Sequence, residues 1–175
     1  MDITKETKKY YSEVLQKSSD LKTNACCTLE KIPEHIKDKL KNINKEVKNT
    51  YYGCGLVVPD CLKDTKILDL GCGSGRDVFL LSQFVGEDGF VTGIDMTDKQ
   101  LKIANDNIEY HMNNFGYSKQ NVQFIKGNIE LLDELNLEEN YDIVVSNCVL
   151  NLCKNKENVL QNIYNLLNSG GEFYF

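Results

Sequence analysis

Residues 66–77, "KILDLGCGSGRD", decide the fold. A short apolar run ends on glycines at 71, 73 and 75, and "DVFLLSQFV" follows with the look of a helix. Strand, glycine turn and helix form the opening unit of many ligand-binding α/β domains. Working outward, the alternation continues. "GFVTGID" reads as a second strand and "DKQLKIANDNIEYHMNNF" as one helix, with Leu101, Ala104 and Ile108 on one side. "VQFIKG" and "YDIVVSNCVL" read as further strands, "KENVLQNIYNLLNSGG" as a helix closed by glycine, and "EFYF" as the start of a fifth strand. The strands are near-continuous apolar runs, the pattern of a parallel sheet covered on both faces. The expectation is an α/β fold, a doubly wound, mainly parallel sheet over residues 66–175. The sequence stops within the fifth strand at Phe175, so a truncated domain is expected.

Upstream, Ile3, Tyr10, Tyr11, Val14 and Leu15 recur at helical spacing. A polar loop with Cys26 and Cys27 follows. Pro33 then opens a second helix, on which Ile36, Leu40, Ile43 and Val47 make one apolar stripe. Residues 1–65 are therefore expected to be an N-terminal helical extension with cysteine-bearing loops.

Composition narrows the function. The chain has 175 residues, 41% apolar and 26% charged, enough for a real core. A net charge of -6 gives nucleic acid no electrostatic foothold. No run approaches the ~18 apolar residues of a membrane span, and no apolar leader opens the chain. A cytoplasmic, monomeric protein is the expectation. Seven cysteines, an odd number with no Cys-x-x-Cys pair, fit neither a disulfide scaffold nor a zinc knuckle. The simplest reading of most is buried apolar filler.

The glycine turn is not a P-loop, because Gly75 leads into Arg76-Asp77 rather than Lys-Ser/Thr. It is not a dinucleotide fingerprint either, since its glycines are two apart. Asp69 stands directly before the turn, where an acid suits a ligand carrying an ammonium group rather than a pyrophosphate. Backbone amides of the turn and helix start can meet a carboxylate. Asp95 ends the second strand, placed to accept from both hydroxyls of a ribose. Asn128 and Ile129, after the third strand, are placed near an adenine. S-adenosylmethionine unites these features. The candidate cofactor-binding set is Asp69, Gly71, Gly73, Gly75, Arg76, Asp95, Met96, Asn128, Ile129 and Asn147.

With those residues in view, the sequence resembles the arsenite methyltransferases, from about Tyr10 to the end. The match rests on "TNACCT", "YYGCGLVVP", "ILDLGCGSGRD" with "VTGIDMT", and "VVSNCVLNL"; shorter agreement continues in "YHMNNFGY" and "GGEFYF". The resemblance implies a class I, Rossmann-like methyltransferase domain that transfers a methyl group from S-adenosylmethionine to trivalent arsenic, leaving S-adenosylhomocysteine. It implies Cys26, Cys54 and Cys148 as catalytic thiols, with Cys54 and Cys148, and Cys26 as a further candidate, holding arsenic. The family's remaining arsenic-binding cysteine lies in a C-terminal region this sequence lacks.

The chemistry is consistent from the atoms upward. Trivalent arsenic is soft, and thiolates are its natural ligands. Three thiolates leave its lone pair free to attack a sulfonium methyl, and no general base is needed there. Oxidation pairing Cys26 with Cys54, reversed by a thiol reductant such as glutathione or thioredoxin, is a hypothesis. Cys72 in the turn reads as packing, Cys61 and Cys153 as incidental, and His111 as a surface or packing residue. Tyr11, Tyr51 and Tyr52 are equally well explained by packing or by covering the cofactor. Two other readings stay open. One is a methyltransferase of another small molecule; the other is a non-catalytic thiol protein that binds arsenic or a soft metal.

Overall fold

In a computed structural model of the chain, Tyr10, residues 32–53 and residues 55–175 are described. The expected helix around Ile3 to Leu15, Tyr11, Cys26, Cys27 and Cys54 fall outside those residues. Five strands, β1 (Lys66–Leu70), β2 (Phe90–Asp95), β3 (Val122–Lys126), β4 (Tyr141–Ser146) and β5 (Leu167–Tyr174), form one parallel sheet in the order β3-β2-β1-β4-β5. The expected doubly wound fold is present. Its order reverses between β1 and β4, the switch point at which open α/β sheets bind ligands beyond the strands' carboxyl ends.

Alternation of side chains along the strands splits the core in two. Ile67, Val91, Val122, Ile143 and Val145 face one side, packing against Val78, Phe79, Leu81 and Val85 of α3 (Arg76–Val85). The same cluster takes in Leu101 of α4 (Asp98–Asp106) and Met112 of α5 (Ile108–Phe115). Leu68, Leu70, Ile94 and Val144 face the other side, against Ile129 and Leu132 of a 3-10 turn (Ile129–Glu134) and Val159 and Ile163 of α6 (Lys156–Leu166).

Three expected elements differ in detail. The single helix after Pro33 is two, α1 (Glu34–Lys41) and α2 (Lys45–Asn49). The Asn44 side chain accepts from the Glu46 N–H and starts a second helix in mid-stripe. Ile36, Ile43 and Val47 are nonetheless buried together in the α3 core. The helix after β2 also breaks, at Asn107, which closes α4 and opens α5. Its Nδ2 donates back to the Ile103 carbonyl and across to Glu46 Oε2, tying the break to α2. Finally, the last helix ends at Leu166, short of the glycines. Asn168 Nδ2 donates to Asp142 Oδ1 at 2.7 Å and draws "LNSGG" into β5, with a register shift opposite Tyr141 and Ile143.

His111 is fully buried, so it is a packing residue rather than a surface one. Its ring stacks on Phe79 with centroids 3.7 Å apart. Nδ1 lies 2.7 Å from the Asn107 carbonyl, and Nε2 accepts from the Asn44 N–H at 3.1 Å. That pattern fixes a neutral ring protonated on Nδ1. Burial lowers its pKa to about 4.

Candidate active site

At the switch point, the carboxyl ends of β1, β2 and β4 open into a cleft. The glycine turn forms its floor. Gly71 has φ +80 and Gly73 φ +55, left-handed conformations that favour glycine. The Gly71 and Cys72 N–H groups both donate to the Ile94 carbonyl, fastening the turn to β2. A Cβ at Gly71 would lie 2.3 Å from Val149 Cγ2, so only a bare backbone lets the segment after β4 pack this close. At Gly73 a Cβ would meet nothing nearer than Gln100 Oε1 at 4.0 Å, leaving open room above the turn.

Asp95 anchors the far side. Its Oδ2 accepts from the Gly73 N–H at 3.0 Å and its Oδ1 from the Thr97 N–H at 2.8 Å. Each oxygen keeps lone pairs for a ligand. Burial raises the pKa of Asp95 against the pull of those bonds. Asp69 is 3% exposed and its carboxyl is pushed well above the usual carboxylate range, first by burial and then by Asp77 and Asp95. Burial thus penalises the charged forms of Asp69 and Asp95, a penalty that a positively charged ligand would offset.

Asp77, buried in the first turn of α3, is the hub of a polar network. Arg76 Nε donates to its Oδ1 at 2.8 Å, and Tyr51 Oη and Asn147 Nδ2 lie 3.3 and 3.2 Å from its Oδ2. The Gly55 carbonyl gathers the same three donors, with Arg76 Nη2 at 2.8 Å, Tyr51 Oη at 3.0 Å and Asn147 Nδ2 at 3.3 Å. Asn147 Nδ2 also lies 2.7 Å from Tyr51 Oη. The Arg76 guanidinium sits 3.2 Å from the centroid of the Tyr51 ring. Burial, then Asp77, raises the Tyr51 pKa, which keeps the phenol a hydrogen-bond donor. The network joins Tyr51 and Gly55 to α3 and the end of β4. Gly53 leaves room for the phenol, since a Cβ there would lie 1.9 Å from Tyr51 Oη.

Cys148 lies one residue beyond Asn147. It is exposed, lines the cleft, and holds φ +60. A left-handed conformation costs a non-glycine residue roughly 1–2 kcal/mol, and strain of this kind gathers at functional sites.

Of the residues the sequence singled out, Asp69, Gly71, Gly73, Asp95, Met96, Asn128, Ile129, Asn147 and Cys148 all line this cleft. Gly75 and Arg76 do not. Gly75, at φ +85, is the N-cap of α3 against Phe124, and Arg76 is held in the network. Cys72 is buried against Gly93, and Cys61 is exposed. Cys153, expected to be incidental, is buried and lines the cleft. Asp77, Thr97 and Gln100 also line it and were not singled out. For Gln100 a signal was present: an amide at helical spacing between Thr97 and Ala104, on the face of α4 that turns inward.

A family profile described as a methyltransferase domain matches residues 62–175. The chain belongs to this family. The chain is also similar to curated relatives along nearly its whole length. It is 51% identical to an arsenite methyltransferase of Mus musculus, covering 99% of this chain and 47% of the relative. It is 50% identical to one of Aquipseudomonas alcaligenes, covering 95% of this chain and 48% of the relative. Among solved structures, an arsenic(III) S-adenosylmethionine methyltransferase from Chlamydomonas reinhardtii superposes with a TM-score of 0.79 at 42% identity, over 82% of this chain and 48% of that one. The chain thus spans about half the length of these relatives. The expected resemblance and the class I methyltransferase fold are borne out. Among the described residues, no helix is long and apolar enough to cross a membrane.

Proposed function

We propose that the cleft binds S-adenosylmethionine and that the protein transfers its methyl group to trivalent arsenic, presented as arsenite or a thiol conjugate. One observation carries the reading. The Cys148 thiol lines the same cleft as the glycine turn and Asp69 and Asp95, so a soft nucleophile held by sulfur comes beside the donor site. Bound there, S-adenosylmethionine supplies a methyl group on a positively charged sulfur, which the arsenic lone pair accepts as that sulfur becomes neutral.

The chain's own residues then have separate tasks. Gly71 and Gly73 keep the turn low enough for a ligand to lie across it, and Asp95 takes the ribose hydroxyls. A cationic donor beside Asp69 would offset the burial that raises its pKa and favour the carboxylate. Met96, Asn128 and Ile129 flank the adenine. Cys148, with Cys54 and Cys26, holds arsenic. Asn147 serves chiefly through the Asp77 network, which ties Tyr51 and Gly55 to the segment carrying Cys148. Alignment of lone pair, methyl carbon and leaving sulfur is the main source of rate, since no base is needed at arsenic. Free thiols at Cys61, Cys72, Cys148 and Cys153 suit a reducing compartment such as the cytoplasm, where glutathione or thioredoxin returns oxidised thiols to the working state.

The test is a mass-spectrometric assay of methylated arsenicals from the chain, S-adenosylmethionine, arsenite and glutathione. Cys148→Ser should lose roughly 100-fold or more in product while binding S-adenosylhomocysteine as the wild type does, because a hydroxyl is a poor ligand for a soft acceptor. Undiminished product from Cys148→Ser, or a wild type that takes no adenosyl ligand, would refute the reading.

A further inference from the structure

Among the described residues that line the cleft, Cys148 is the sole non-glycine whose backbone is left-handed. Neither a strand nor a helix imposes that shape, because β4 ends at Ser146 and the next 3-10 turn starts at Leu150. Glycine would hold it freely, so a side chain kept here needs neighbours that over-determine the backbone. Both neighbours are pinned. On one side Val149 is wedged against the bare Gly71 backbone, so closely that a Cβ there would lie 2.3 Å from its Cγ2. On the other, the Asn147 amide nitrogen has two hydrogens for three oxygens. Its shortest contact, 2.7 Å, goes to Tyr51 Oη, ahead of Asp77 Oδ2 at 3.2 Å and the Gly55 carbonyl at 3.3 Å.

We infer that Tyr51 is a positioning residue for the Cys148 thiol, holding Asn147 so that the sulfur of the next residue stays over the cleft. The inference rests on reading Cys148 as the arsenic-holding thiol beside an adenosyl site. Asp77 gathers the network, and Tyr51 is the member that hands the constraint to Asn147. The phenol uses both of its hydrogen-bonding capacities. Its oxygen accepts from Asn147, and its O–H is directed to the Gly55 carbonyl at 3.0 Å or to Asp77 Oδ2 at 3.3 Å. Burial and then Asp77 keep the phenol protonated, and Cys148 is close enough to add to that effect. The Arg76 guanidinium, 3.2 Å from the ring centroid, presses on the ring and holds it in place. Without the phenol oxygen, Asn147 keeps only its two longer contacts. The backbone at Cys148 can then relax from φ +60 to the ordinary negative range, which re-aims the Cα–Cβ bond and the sulfur with it.

The test follows alkylation of Cys148 by iodoacetamide, read by mass spectrometry, in this chain, Tyr51→Phe and Asn147→Ala. Each protein is measured with and without saturating S-adenosylhomocysteine, whose affinity is fixed by calorimetry. In the wild type the ligand should slow alkylation roughly tenfold or more, because the sulfur lies over the occupied site. Tyr51→Phe keeps the ring and should bind S-adenosylhomocysteine within about threefold of wild type. Its protection should nonetheless fall below about twofold, and that of Asn147→Ala likewise. A purely structural role would shift affinity or melting and leave protection at saturation intact. A second comparison needs no ligand. Cys148→Gly should raise the wild-type unfolding midpoint by about 2–4 °C by removing strain. In Tyr51→Phe, where the strain is already released, the same change should gain less than about 1 °C. Full protection in both variants, or equal glycine gains in the two backgrounds, would overturn this inference alone. A wild type that binds the ligand without protecting Cys148 would overturn the reading of the site and this inference together. Should the wild type bind no S-adenosylhomocysteine, the adenosyl reading falls; unequal glycine gains would still support the hold of Tyr51 on Cys148, and equal gains would overturn it.

Discussion

Asp77→Ala removes the hub that joins Tyr51 and Gly55 to the cleft, and its cost can be worked from the contacts. The carboxylate is 6% exposed and pairs with Arg76 Nη2 at 2.6 Å and Nε at 2.8 Å; Tyr51 and Asn147 lie against its second oxygen. Deleting one partner of a buried ion pair costs about 3–5 kcal/mol, because the remaining charge is stranded. Arg76 retains the Gly55 carbonyl and the face of the Tyr51 ring, which places the loss near the lower end, about 3 kcal/mol. For a chain of this size that lowers the unfolding midpoint by roughly 6–12 °C. Asp77→Asn keeps an acceptor for Arg76 but turns an N–H toward Asn147 Nδ2, and should lose about half as much. Urea denaturation followed by circular dichroism, with thermal melts alongside, reads both variants. An Asp77→Ala protein within about 0.5 kcal/mol of wild type would refute the claim that this carboxylate holds the network together.

Two further outcomes follow from the geometry. The folded pKa of His111, about 4, lies below the unfolded value of 6.5, so the unfolded chain binds the proton more readily. Stability from this group is complete above pH 6.5 and falls as pH drops toward 4, by about 3 kcal/mol in all. Asp69 and Asp95, with raised values, act in the opposite sense, so the difference between wild type and His111→Gln in urea melts from pH 7 to pH 4 isolates the ring. A constant difference across that range would contradict the assignment. Gly71→Ala combines a left-handed backbone with a 2.3 Å overlap on Val149, beside Cys148. It should weaken S-adenosylhomocysteine binding by roughly tenfold or more in calorimetry, and wild-type affinity would show that the turn is not the floor of the site.

The scaffold was legible because its signals are local. Apolar runs of β1 to β4 declare buried parallel strands, and Gly71, Gly73 and Gly75 mark a turn whose backbone φ values side chains resist. Asp95 could be read from its place at a strand end. Residues whose roles depend on distant partners were not legible. Asp77 acquires its meaning from Tyr51 and Asn147, 26 and 70 positions away in the chain, and no periodicity encodes such a meeting. Arg76 was grouped with the glycines by adjacency, yet its side chain runs to Gly55 instead of the cleft. The breaks at Asn44 and Asn107 show the same effect in the helices. A side-chain cap and a cross-link between α2 and α4 interrupt stripes that hydrophobic spacing alone would carry through.

The most direct measurement is a crystal structure of this chain grown with S-adenosylhomocysteine and soaked with phenylarsine oxide. The account predicts the ribose diol against Asp95, the ligand lying over Gly71 and Gly73, and arsenic bonded to the Cys148 sulfur at the mouth of the same cleft. Adenosyl density away from the ends of β1 and β2, or arsenic on other thiols with Cys148 bare, would contradict it.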